Sequence, residues 1–595
     1  MHEMTIAVSN EQDRRAYRRS NAPHDAQAPN PPSRERSRSQ LLVEGLAASA
    51  AVIYLFVFIQ SVSYYWFQPQ YFTDDAFQQT FFFHEVMHPG LFAGDLITEY
   101  MRAFLPPLHY ALYYGVTWLS GGPIIASHWV MLLQYLVAIV FLGLLIYRYT
   151  GFIPTVVGLV WFLHTESIID RMTGGFPRGW WQAIILSTLY FISRRNHTGV
   201  IVVLAIGSLL NPLATVTMGF CYALSFIVRF REQNERKKFA QFLILIPFYA
   251  LLTYYSVKRP PEVGNMIPYE QALTMPELSR DYGRFRWLPL SSPFRDLEKY
   301  TAQVFLSQKK IKANEQLERT VFLATTAILV LLAAASWWRK TPLIPMELYC
   351  LLGSAILAYG FARLFAFRLY VPDRYLFFAL PMFIIPAFIV GLWRLHSQFP
   401  LGRIASYTLL VVLIGFGTNF KVPGRAHFNR KIPPRQSMWG WFATSTERDA
   451  LVAGHPTIID GVPLLGMRRA YVTTEAAHPY FDRYYAEIRR RLLISWEAYY
   501  ARDISEFVNL LRAEGIDYYV FVKGHFAPEK LKRAKYFRPY DTFVRQLASG
   551  DPAEYTFSKL TGESALGFKP AIAFEDEQVL VISVNKLSEI ITEDS

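Results

Sequence analysis

The sequence predicts a polytopic α-helical membrane protein that carries an α/β domain at its C-terminal end. Three observations support this. Only 18% of the 595 residues are charged and 52% are hydrophobic, whereas soluble domains usually carry roughly 25% charged residues. Apolar stretches of about 17–25 residues recur from Leu41 to Phe420, each long enough to cross a ~30 Å hydrocarbon core as a helix. Beyond Phe420 these stretches stop, and short strand-like runs alternate with helical ones. The formal net charge of +13 does not point to nucleic acid. Arg34, Arg36 and Arg38, Arg194-Arg195, the 229–238 cluster and Arg339-Lys340 all flank apolar runs, which is the distribution that orients membrane helices and meets anionic lipid.

Residues 1–39 are rich in Arg, Ser, Pro and Asn and nearly free of large apolar residues, so they are expected to form a disordered cytoplasmic tail. The run that starts near Leu41 lies too far from the terminus for an ordinary signal peptide and reads as a retained anchor. With its N-terminus inside, the basic flanks put Tyr147-Arg148, Arg194-Arg195, 229–238, Trp338 to Lys340 and Arg394 to Arg403 on the cytoplasmic side. The other side receives 67–103, 164–179, Asn211-Pro212, the loop 258–316, the stretch 363–374 and everything after residue 420.

This gives about eleven crossings, or 11–13 helices with the marginal segments, in a transmembrane domain spanning 40–420. Residues 104–120, between Pro106-Pro107 and Gly121-Gly122, are only marginally long and are expected to be partly inserted or strongly tilted. Cys221 and Cys350 both lie in apolar runs and read as core packing, not as a disulfide framework or metal site.

In the final domain, 421–595, Thr457 to Asp460, Ala470 to Thr473 and Tyr518 to Val522 are expected as strands. Residues 481–499 and 504–514 have helical periodicity, and 571–575 and 578–584 suit two paired strands.

The first candidate for chemistry is Asp74-Asp75, just past the first apolar run. Two adjacent carboxylates at a membrane exit repel each other, and burial there is expected to raise one pKa, as suits a general base. An equally simple reading is a helix cap, with Thr73 and Gln78 completing a capping box.

His84-Glu85-Val86-Met87-His88 matches H-E-x-x-H, in which two histidines one helical turn apart bind zinc. Pro89 disfavours helix at His88. Asp95 and Glu99 offer no recognised third-ligand spacing, so no metal site is assigned and interfacial histidines are the preferred reading. Arg363, Arg368 and Arg374 stand between two apolar runs and suit phosphate binding, though each could also snorkel to lipid headgroups and Asp373 could pair with one. Gly174-Gly175 and Pro177 make the turn bearing Asp170, Arg171 and Arg178 a tight connection, which places the two arginines as further candidates for lining a site together with Asp95, His84 and His88.

The runs DDAFQQTFFFHEVMHPGLFAGDLITEY, GFPRGWWQAIILSTLYF and VPDRYLFF, with Leu105-Pro106-Pro107-Leu108 and a tail containing AGHPTIIDGVPLLGMRRAYVTTEAAHPY and EGIDYYVFVKGHF, resemble the GT-C superfamily of polytopic glycosyltransferases, through a bacterial integral membrane subgroup. The resemblance covers most of residues 41–530. It implies an inner-membrane enzyme that transfers a hexosyl or pentosyl group, with inversion, from a polyprenyl-phosphate donor to a lipid, glycan or protein acceptor on the extracytoplasmic face. It maps the acidic base onto Asp74 or Asp75 and a donor-phosphate contact onto Arg368 or Arg374. No cofactor is required, although a divalent cation would suit the paired carboxylates. The competing readings are a membrane zinc metallopeptidase, a lipid or glycan transporter, and a non-catalytic membrane protein.

Overall fold

The computed structural model describes residues 45, 49, 52–60, 63, 68, 71–306, 314–396, 436–534, 536 and 539–593. The expected tail 1–39 and the expected domain boundary at 421 lie outside the described residues.

Among the described residues, five helices are long and apolar enough to cross a membrane: Pro123–Thr150, Gln233–Val257, Glu315–Arg339, Met346–Leu364 and Asp373–Leu395. A sixth is obtained if Phe152–His164 and Glu166–Met172, bent by 68°, form one broken span. The crossings expected at the run from Leu41 and at 404–420 lie largely or wholly outside the described residues. His197–Leu210 and Pro212–Val228 have 14 and 17 residues, about 21 and 26 Å at 1.5 Å per residue. Asn211-Pro212 divides them: Pro212 starts the second helix at its first position, and the Asn211 side chain caps it by accepting from Ala214 N at 3.1 Å, as favoured at a helix start.

The marginal segment 104–120 contains the helix Pro107–Ser120, opened by Pro107 and closed by Gly121 in a left-handed conformation (φ 76°). Its 14 residues reach only about 21 Å, and both ends lie with the same group of segments. Pro106 lines the main cavity. Tyr113 donates to Pro123 O at 3.0 Å, and the helix begun by Pro123 bonds through His128 to Tyr71 O at 2.9 Å.

Some segments that charge assigns to the cytoplasmic side contact one another in pairs. Arg195 pairs with Glu232 at 2.9 Å, and Arg394 donates to Pro342 O at 2.7 Å and covers the Tyr149 ring, whose hydroxyl meets Glu347.

The turn 173–179 is fitted closely against Pro123–Thr150. Gln134 donates to Phe176 O at 2.8 Å and Asn211 to Pro177 O at 3.0 Å. Gly175 has φ 67°, and a Cβ there would stand 2.5 Å from Ser127 O. Gly175→Ala is expected to destabilise the protein by more than the ~1–2 kcal/mol of left-handed backbone alone. Gly90, with φ 79° and nothing within 4 Å of a Cβ, supplies the control. Melting temperatures of Gly175→Ala and Gly90→Ala in detergent should differ strongly, and equal values would show that the close approach is unimportant.

The α/β region is built on a five-stranded sheet of β1 Leu451–Gly454, β2 Arg469–Ala470, β3 Tyr518–Val522, β4 Ile572–Glu575 and β5 Val579–Ser583, in the order β2-β1-β3-β5-β4. β1 runs parallel to β2 and β3, with Val452 opposite Tyr518, and β5 is antiparallel to β3 and β4. Helices Asp482–Tyr499 and Ile504–Ala513 occupy the segments with helical periodicity. The expected strand at Thr457 to Asp460 is instead the short helix Pro456–Ile459. Pro456 sets a helical first turn there, and the strand is the preceding Leu451–Gly454.

Residues 50–595 form one compact unit, so the α/β region is seated on the bundle. Tyr100 stacks on Tyr484 with ring centroids 3.4 Å apart, and Ile267 N donates to Tyr480 O at 2.9 Å.

Candidate functional site

A cavity of about 970 Å³ lies where the bundle meets the α/β region. Every segment that charge placed opposite the cytoplasm contributes to its wall: Asp74 and Asp75, the 170–178 turn, Asn211-Pro212, residues 256–287, Arg368 to Arg374, and His478 to Phe481. Among the described residues, seven arginines line it (Arg171, Arg178, Arg259, Arg284, Arg286, Arg368 and Arg374) against three acidic groups, Asp74, Asp75 and Asp170. Such a chamber favours an anion. Arginine keeps its charge when partly buried and offers a planar fork to phosphate or carboxylate oxygens.

Asp75 stands at the start of the helix Ala76–Gln79 but makes no side-chain cap bond, so the capping box is not formed. Its Oδ2 pairs with Arg178 Nη2 at 2.5 Å, and its Oδ1 accepts from Gln78 at 3.4 Å. Asp75 N donates to Asp74 Oδ1 at 3.2 Å.

The expected rise in carboxylate pKa is reversed at Asp75. Burial pushes upward, but Arg178, Arg171 and Arg374 outweigh it and hold the group below its ordinary 3.8. Asp75 is thus an anion at every physiological pH. Its folded value lies below its unfolded one. Its contribution to stability is therefore complete above about pH 4 and is lost as pH falls through the folded value.

The arginines are positioned by their own neighbours. Arg178 Nε donates to Arg171 O at 3.3 Å and the guanidinium covers the Phe176 ring. Arg171 covers Phe377, and its buried Nε has no hydrogen-bond partner. Arg259 packs over Phe104, where burial lowers it to about 10, so it stays charged at neutral pH. Tyr370, between Arg368 and Arg374, has φ 64°, a left-handed backbone that non-glycine residues rarely adopt outside constrained sites.

Four candidates fall elsewhere. Arg363 turns away to Ser291 O (2.7 Å), Tyr359 Oη (3.0 Å) and Asp296 (3.7 Å). Buried Asp296 claims it, and the phosphate role is withdrawn. Asp95 is the cap of Leu96–Ala103, accepting from Thr98 N at 2.8 Å. His84 and His88 are outside the cavity wall. Of the H-E-x-x-H run, His84 and Glu85 lie on the 3-10 helix Phe81–Val86 and His88 lies beyond its end. His84 Nε2 is bonded to Leu464 O at 2.8 Å, and Glu85 pairs with Arg102. That geometry does not suit a zinc peptidase. Asp373, expected opposite an arginine, accepts instead from Tyr300.

A cation beside Asp74-Asp75 fits no better. Arg178 already neutralises Asp75, and among the described residues no three His, Cys, Asp or Glu side chains gather as a metal-binding group.

Several wall residues were not picked out from sequence. Arg284 pairs with Glu475 at 3.2 Å and bonds Thr474 O. Gln78 donates to the same Glu475 oxygen at 2.5 Å, which ties the Asp75 helix to the α/β region. His478 stacks on Tyr480, which stacks on Trp287. Burial, with Arg284 nearby, lowers His478 to about 3, so the ring is neutral. The run Arg284-Phe285-Arg286-Trp287, alternating cation and aromatic, was the available signal.

Behind Glu475, Asp460 accepts from Glu475 N at 2.9 Å. Burial and the facing Glu475 carboxylate raise Asp460 to about 8. The folded state then holds a proton that the unfolded state has lost, so stability falls as pH climbs from about 4 to about 8. Asp460→Asn keeps the shape without the charge. Its melting temperature should exceed that of the parent at pH 8, by roughly 2–4 °C for each kcal/mol of relieved cost, and the excess should shrink as pH falls toward about 4. Identical pH profiles would refute the assignment.

No family model matches the sequence, and no curated protein matches it. Among solved structures it is similar to crystal structures of the Archaeoglobus fulgidus oligosaccharyltransferase. With the complex with Zn and sulfate the identity is 9% and the TM-score 0.45, over 84% of this chain and 70% of that one. The apo form gives 9% and 0.44, over 85% and 72%. The form tethered to an acceptor peptide containing the NVT sequon gives 11% and 0.39, over 85% and 72%. Likeness at this level carries no conclusion about activity.

Proposed function

We propose that the chain is a membrane glycosyltransferase that moves a sugar from a polyprenyl-phosphate donor to a lipid, glycan or protein acceptor outside the cytoplasm of a bacterial cell. The observation that supports this reading is the meeting of the acidic pair with Arg171, Arg178, Arg368 and Arg374 in one cavity.

Departure of the donor phosphate needs cationic groups on its oxygens and no proton, because that group is already an anion. Arg368 and Arg374 are suited to hold it, and burial between protein walls strengthens each contact. The acceptor hydroxyl needs a base; Asp75, held ionised by its arginines, supplies a carboxylate for it, with Asp74 beside it. Asp75 is intrinsically a weak base, which suits a step in which the phosphate bond breaks early and the proton moves late. Arg178 restrains the carboxylate and keeps it charged.

The test is incubation of the nanodisc-reconstituted protein with a polyprenyl-phosphate-linked radiolabelled sugar and membrane glycolipid, glycan and peptide acceptors. Release of polyprenyl phosphate that depends on Asp74 and Asp75 supports the reading. Its absence with every donor sugar and acceptor class would refute it.

A further inference from the structure

A second concavity, of about 710 Å³, adjoins the cavity and shares Arg284 and Arg286 with it. Beyond these two it is walled by Lys532, Arg533 and Arg545 from the α/β region, with Tyr282 at the rim. Its one acidic lining residue, Asp541, is engaged with the backbone, accepting from Tyr536 N at 2.8 Å. Lys532, Arg533, Arg545 and Arg286 are all exposed. Among the described residues, five cations, of which Arg284 is already paired with Glu475, face one occupied carboxylate and form a field that concentrates anions from water. The shared arginines make the groove continuous with the cavity.

We infer that this groove holds the acceptor, and that the acceptor is an anionic glycan bearing carboxylate or phosphate groups along its length. The inference rests on the glycosyltransferase reading. A chain bound here leads across Arg284 and Arg286 to the acidic pair, whereas a lone phosphate would need no second basic trough. The exposed Tyr282 ring offers a face to a sugar, as amphipathic aromatic side chains do at interfaces. Among the described residues the groove carries no apolar wedge for acyl chains, since Tyr282, Tyr536 and Ala534 are its only largely apolar members there. A glycan therefore fits better than a lipid surface.

The experiment uses the full chain in nanodiscs of neutral lipid without donor, so that binding is read apart from transfer. The probes are a fluorescent oligogalacturonate, a neutral dextran oligosaccharide of equal length, and vesicles of phosphatidylglycerol. The parent and Asp75→Asn should bind oligogalacturonate alike, with affinity falling as salt rises, and should ignore dextran. K532E/R533E/R545E should lose at least tenfold in affinity, while K559E/K569E/K586E, an equal charge change at exposed lysines outside the groove, should not. Equal loss in both triple variants, no loss in the first, or groove-dependent binding of vesicles without oligogalacturonate would each overturn the inference. Binding that behaves as expected in a protein that transfers no sugar would overturn the glycosyltransferase reading instead.

Discussion

Asp75→Asn is expected to reduce sugar transfer by about 10²–10⁴-fold, the range associated with loss of a general base, in a protein that still elutes as a folded species. Asparagine keeps the shape and the contact to Gln78 but removes the charge that Arg178 faces at 2.5 Å. Asp74→Asn, measured in parallel, divides the work between the two carboxylates. If both variants kept full activity, the base would have to be sought elsewhere.

The electrostatics add a sharper expectation. With Arg178 in place, Asp75 stays below 3.8, so it should give no acid limb to the rate profile above about pH 5. Arg178→Gln removes the largest opposing charge and leaves burial less opposed. The acid limb should then move upward in pH. A profile unchanged in Arg178→Gln would mean that another group controls ionisation.

The second large effect is expected at the phosphate. Arg374→Gln should lower kcat/KM by about 10–10²-fold, the equivalent of the ~1.5–3 kcal/mol carried by a hydrogen bond to a charged group. Arg363→Gln separates this from a general loss of positive charge. Arg363 serves buried Asp296, so its removal should lower the melting temperature, because a buried carboxylate loses its partner, and leave the kinetics of the folded fraction intact. If Arg363→Gln instead matched Arg374→Gln in kcat/KM at unchanged stability, the assignment of Arg374 to the donor would fail.

These expectations show which features the sequence made legible. Asp74-Asp75 stood out because adjacent carboxylates beside an apolar run need an explanation, and Gly174-Gly175-Phe176-Pro177 because few backbones satisfy it. The segments that line one cavity, from Asp74-Asp75 to His478, are those that the placement of Arg and Lys beside apolar runs groups together. What spacing could not convey was which distant segment claims a given side chain. Arg363 looked equivalent to Arg368 and Arg374, three cations in one short stretch, until Asp296, more than 60 residues earlier, took it. Arg284, Glu475 and Tyr480 reach the cavity only through packing between the 258–316 loop and the α/β region. The ionisation of Asp75 was misjudged for the same reason, since its burial could be inferred locally while the three opposing guanidiniums could not. Thr457 to Asp460 failed on a smaller scale, because β-branched residues suggested a strand where Pro456 starts a helix.

The bond from Gln78 to Glu475 joins residues 397 positions apart. The chamber's wall closes only when His478, Tyr480 and Phe481 have been made and seated. While translation is still under way, a chain inserted as far as its last membrane helix carries its acidic pair and most of its arginines but no finished chamber. Sequence order thereby sets the timing of the chamber: the acidic pair meets a closed wall only once nearly the whole chain exists.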